Sequence, residues 1–84
     1  MQQYRLTIIA QQQPVLMERI LQVVRYRGFS AKSLSMLPAK DNKVVIEVSV
    51  EGDKSVDNLQ KQLLKIIDIE QIKAEDQLKQ KITA

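Results

Sequence analysis

Neither cysteine nor histidine occurs in the 84 residues, so the sequence has no thiolate or imidazole to attack a substrate, act as general base or bind zinc or an iron–sulfur cluster. It has no disulfide framework either. No catalytic residue and no metal ligand can be nominated, and most metalloenzyme and protease readings fail on that ground. Two other groupings invite a role. One is the polar stretch Gln11-Gln12-Gln13-Pro14-Val15, placed where a strand gives way to a helix. The other is the set Arg19, Arg25 and Arg27. Three arginines on one short helix are too few to imply nucleic acid without supporting aromatics, and a solvated helix face accounts for them. A surface pair such as Arg25 and Arg27 can instead meet carboxylates on a protein partner.

The elements that must carry these residues follow from hydrophobic period. Tyr4, Leu6, Ile8 and Ala10 alternate with Arg5, Thr7, Ile9 and Gln11, which predicts a half-buried strand. Pro14 suits a first helical position, and Leu16, Met17, Ile20, Leu21 and Val24 recur at three- and four-residue spacing. That helix should end near Arg27, with Gly28 in the left-handed conformation behind it. Residues 30–37 fit an edge strand stopped at Pro38, and Lys40-Asp41-Asn42 reads as a turn. Val44, Ile46, Val48 and Val50 predict a strand broken by Gly52-Asp53. Ser55 is a candidate N-cap for a second helix carrying Val56, Leu59, Leu63 and Ile66. Ile69, Ile72 and Ala74 suggest a short last strand. A polar tail follows over residues 77–84, in which Leu78 and Ile82 are one helical turn apart.

Composition sets limits on the whole. Eighty-four residues, 44% of them hydrophobic, form one small domain, read as residues 1–76 plus the tail. A core this small is readily supplemented by a partner subunit. The first 42 residues hold six basic and two acidic groups and the rest hold seven and eight, so the first half is mildly basic. Without a basic and apolar leader at Met1-Gln2-Gln3-Tyr4 or an apolar run of about 18 residues, membrane spanning and secretion are unsupported, and the expected location is cytoplasmic.

The order strand, helix, strand, strand, helix, strand is the ferredoxin-like βαββαβ arrangement, an α+β fold. Its four-stranded antiparallel sheet carries both helices on one face. The other face, with Arg5, Thr7, Val45, Glu47 and Ser49, is left without cover and is a candidate partner surface. Leu34, Met36 and Leu37 are too many apolar groups for an edge strand with one covered face, which points to a homodimer. Among the uses of this topology, RNA recognition lacks stacking aromatics on the central strands. Copper transfer lacks a cysteine pair in the first loop. An acyl phosphatase would need a glycine-rich anion cradle. The fourth use is a regulatory module of the ACT type, which pairs with itself and binds a small amino acid or steadies a catalytic subunit.

Particular residues carry a resemblance. Leu16-x-x-Arg19, Val23-Val24-Arg25-Tyr26-Arg27-Gly28-Phe29, Ser33-Leu34 and Pro38, then Ser55-Val56 and Gln62-Leu63-x-Lys65-Ile66-Ile67-Asp68-Ile69, are similar to the small subunits of bacterial acetolactate synthase, in their short isozyme II form. The resemblance spans roughly residues 4–75. It implies an ACT domain that binds and activates a large catalytic subunit in branched-chain amino-acid synthesis. That subunit carries thiamine diphosphate, Mg²⁺ and FAD and condenses two pyruvates, or pyruvate with 2-oxobutyrate. Arg5, Thr7, Arg25, Arg27, Val45, Glu47 and Ser49 become candidate contacts to it, and Leu34, Met36 and Leu37 candidate contacts between copies. Longer members of the family have a second domain that this sequence lacks. Feedback-inhibited relatives have Asn near Gln12 and Gly near Val15, where amides approach the effector's carboxylate. A degenerate effector loop and weak or absent valine inhibition are therefore expected, although Pro14-Val15 also serves simply to start the helix. The other functional reading is a stand-alone ACT-like amino-acid sensor acting on another enzyme or a transcription factor. A glycine-containing effector loop, which would mark it, is missing.

Overall fold

A computed structural model describes residues 2–76 of the chain; the tail expected over residues 77–84 lies outside them. The elements are β1 (Gln2–Gln11), α1 (Leu16–Tyr26), β2 (Ser30–Ala39), β3 (Lys43–Gly52), α2 (Val56–Leu64) and β4 (Ile69–Asp76). They make one antiparallel sheet in the order β2-β3-β1-β4. This is the ferredoxin-like arrangement that the hydrophobic periods predict. The two central strands show the strictest alternation, because each has a neighbour on both sides and one face against the helices. Leu6, Ile8 and Ala10 of β1 and Val44, Ile46, Val48 and Val50 of β3 are buried. The helices close over them with Leu16, Ile20 and Val24 from α1 and Leu59 and Leu63 from α2. Full burial of side chains of this size favours folding by about 1.5–3 kcal/mol each. Met17 and Leu21 lie at the margin of the α1 stripe and are only partly buried.

The helix ends follow local chemistry. Gly28 has φ +87°, its N–H donates to the Arg25 carbonyl, and the Phe29 N–H donates to the Val24 carbonyl. This pair of bonds is a Schellman motif, and it delivers Phe29 into the core next to Val24. Ser55 caps α2 by accepting from the Asn58 N–H at 3.2 Å. Asp41 and Asn42, at φ 61° and 60°, turn β2 into β3 in the type I′ manner that favours Asn and Asp.

Several boundaries differ from the sequence expectation: α1 begins at Leu16 behind an N-cap at Val15, so Pro14 lies in the preceding turn and not at the first helical position, and α2 ends at Leu64, before Ile66. β2 runs through Pro38 to Ala39, because an edge strand has one side with no ladder to complete and tolerates a missing N–H there. Gly52 is the last residue of β3 and pairs with Gln2 rather than breaking the strand. β4 is eight residues long, and its odd spacing of Ile69 and Ile72 has a physical cause. Ala10 pairs with Ile69 but Ile9 pairs with Gln71, so Glu70 is an extra residue at a bulge and the face is reset behind it. Lys32 is a second such residue, between Ala31 opposite Val50 and Ser33 opposite Ser49.

Candidate functional site

The turn from β1 into α1 has few amides left to offer. Gln11 N–H donates to the Asp68 carbonyl at 2.8 Å, Gln12 N–H to the Asn42 carbonyl at 3.1 Å, and Leu16 N–H to the Gln13 carbonyl at 3.2 Å. Pro14 has no N–H. Within residues 11–16 only Gln13 and Val15 keep an amide without a backbone partner among the described residues. Val15 is 43% exposed, so its branched side chain stands at the surface of the loop and not in the core. The Gln11 side chain belongs to the sheet, where its Nε2 donates to Glu70 at 2.7 Å.

The uncovered face of the sheet brings together Arg5, Thr7, Val45, Glu47 and Ser49, with Arg5 opposite Ser49, Thr7 opposite Glu47 and Ile9 opposite Val45. It carries no aromatic ring among the described residues. Tyr4 lies on the covered face, with its ring edge-on to Phe29 at 6.5 Å between centroids. Two polar clusters that single-residue reading missed hold opposite corners of the open face. In one, Glu51 accepts from Gln3 Nε2 at 3.2 Å and pairs with Lys32 Nζ at 3.2 Å. In the other, Glu70 accepts from Gln11 and pairs with Lys43 Nζ at 3.0 Å. Each cluster links three strands and uses one of the bulge residues, Lys32 or Glu70, so only the strand register reveals it. Gln3 foremost, then Lys32, holds the Glu51 carboxyl below its ordinary value. Gln11 and then Lys43 do the same for Glu70.

The remaining candidates fall elsewhere. Leu34 and Met36 lie opposite Val48 and Ile46 and pack partly buried against the core, on the helix side of the sheet. Leu37, opposite Val45, is on the open face and 62% exposed. The three residues nominated together for contact between copies thus divide between the two faces. Arg25 is exposed near the end of α1, beside the start of β2, and Arg27 caps α1. Both are separated by the sheet from Arg5 and Glu47, so the nominated partner contacts form two surfaces. No group of three His, Cys, Asp or Glu side chains among the described residues is placed to hold a metal ion. None of the described helices is long and apolar enough to cross a membrane.

Comparison with known proteins gives these surfaces a context. Residues 12–72 match the ACT domain family. The small subunit of acetolactate synthase isozyme 2 from Escherichia coli K12 is 40% identical over 70 residues, which cover 82% of this chain and 80% of that one. Among solved structures, the acetolactate synthase small subunit of Thermotoga maritima superposes with a TM-score of 0.77 at 17% identity, over 88% of this chain and 47% of that chain. A formyltetrahydrofolate deformylase from Burkholderia mallei does so at 0.73 and 12% identity, over 90% of this chain but 28% of its own length. At those identities the two structures speak for the fold alone. The family match across most of the chain and the identity to the E. coli subunit go further: this chain is a member of the ACT domain family, among the small subunits of acetolactate synthase.

Proposed function

We propose that the chain is the regulatory small subunit of an acetolactate synthase holoenzyme, binding and activating a large subunit that condenses two pyruvates, or pyruvate with 2-oxobutyrate. The observation that carries this is the 40% identity with the E. coli isozyme 2 small subunit over 82% of the chain. The reading assigns thiamine diphosphate, Mg²⁺ and FAD to the large subunit, where thiamine diphosphate supplies the carbon nucleophile. This chain, which has neither Cys nor His, contributes surface and not chemistry. It places the assembly in the cytoplasm, with branched-chain amino-acid synthesis.

Two finer properties belong to the reading. We infer that two copies associate side by side through β2, an edge strand most of whose residues are exposed. Leu37 at that edge supports this. We also infer that valine inhibits weakly or not at all, since three amides of the β1–α1 turn are engaged within the fold and Val15 projects where an effector would approach.

The test is reconstitution with the large subunit of the native host, followed by measurement of acetolactate formed from pyruvate with and without this chain. The expected result is co-purification and a rise in rate on adding the chain, which alone should be inactive. Failure to bind, or full activity in the isolated small chain, would overturn the reading.

A further inference from the structure

The helix layer holds a groove that the regulatory reading does not yet use. Between α1 and α2 lies an open depression of about 350 Å³, lined by the partly buried Val23 and Ile66, by the exposed Tyr26, and by Arg27 and Lys65. Tyr26 is 81% exposed and Ile67, next to Ile66 in the chain, is 88% exposed. Of the five large hydrophobic residues left exposed among the described residues, only Leu37 lies on the sheet; the others belong to the helices or the turns beside them. Arg27 lies over the Tyr26 ring at 5.3 Å.

Charge identifies the occupant. On the open sheet face two of the cations are neutralised within the fold, Lys32 by Glu51 and Lys43 by Glu70. In the groove, neither Arg27 nor Lys65 has a carboxylate partner among the described residues, and no acidic residue lines it. Cations near helix C-termini are favoured by the macrodipole alone, but that preference gives no reason for an exposed tyrosine beside them. An apolar lining between two helices with positive flanks is complementary to an amphipathic helix whose anchors recur at i, i+3 and i+4 between acidic residues. A second copy of this chain fits poorly. Two-fold pairing of like surfaces brings the Arg27 and Lys65 groups of the two protomers together with no acid in the groove to offset them.

We propose that the α1–α2 groove is the docking site for an acidic amphipathic helix of the large catalytic subunit, and that the open sheet face is not the principal contact. The inference rests on the small-subunit reading and adds to it the location and chemistry of the contact.

The experiment measures the affinity of the purified large subunit for the full chain and for variants whose fold is verified by circular dichroism melting. Arg27→Glu with Lys65→Glu reverses the flanks, and Tyr26→Ser removes exposed apolar surface. Arg5→Glu with Glu47→Lys alters the open sheet face and serves as control. The expected result is a Kd raised about tenfold or more by the flank reversal, a smaller rise for Tyr26→Ser, an unchanged control, and wild-type binding that weakens as salt is added. Groove variants that bind like wild type would overturn the proposal, as would a loss confined to the sheet-face control. So would groove variants that dissociate a homodimer in sedimentation while leaving large-subunit binding intact, which would make a second copy the occupant. If the wild-type chain shows no affinity for the large subunit, the small-subunit reading itself fails, a result distinct from binding that is indifferent to the groove.

Discussion

Gly52 is fixed by its neighbour more than by its own backbone. A Cβ added there would lie 2.8 Å from the Phe29 ring and 3.0 Å from the Gly28 carbonyl oxygen, closer than packed atoms allow. Gly52→Ala should therefore destabilise the domain by about 1–3 kcal/mol, the usual cost of overpacking, read as a lower denaturant midpoint with unchanged slope. Gly28 was legible in the sequence, since a helical stripe that ends on Arg-Gly announces its left-handed cap. Gly52 was legible only as a breaker, because what forbids its side chain is a ring 23 positions earlier. The two lowered carboxyls belong to this scale as well. Glu51 and Glu70 titrate below their ordinary value of 4.5 in the folded chain, so the stability they contribute is present above that pH and is lost as pH falls through their folded values. Glu51→Gln together with Glu70→Gln should lower the melting temperature at neutral pH and converge with wild type in acid, so that the acid limb of the profile is flatter. A variant profile parallel to wild type down to low pH would show the clusters to be without effect.

At the scale of elements, the order and type of all six were readable because the central strands and both helices have one covered face each and so keep a clean period. The edges were not. The bulges at Lys32 and Glu70 shift the face of β2 and β4 in mid-strand, and no count of alternate residues finds a shift that depends on the partner strand. The same limit divided the candidate interface, since Leu34 and Met36 turned out to complete the chain's own core. What is left for association is the β2 edge itself and Leu37. Sedimentation of the isolated chain should show a dimer, and Leu37→Glu should raise its dissociation constant. A monomer persisting at millimolar concentration would remove the β2 pairing from the functional reading.

For the whole molecule, the β1–α1 turn predicts that millimolar valine leaves the reconstituted holoenzyme largely active, and that Gln12→Asn with Val15→Gly increases sensitivity. Half-inhibition of the wild-type complex at tens of micromolar would return the chain to the feedback-sensitive class. The loop's residue types suggested this from the sequence, but not the engaged amides, whose acceptors, Asn42 and Asp68, lie about 30 and 57 positions away. The strand order carries a further consequence, in the timing of synthesis. β1 emerges from the ribosome first, yet its neighbours are β3 and β4. At about 5–20 residues per second, roughly two to eight seconds separate the completion of β1 at Gln11 from that of β3 at Gly52. During that interval Leu6, Ile8 and Ile9 have no complete strand beside them, while α1 can form from local contacts. A central strand of the finished sheet is thus the one the nascent chain must hold unpaired for longest.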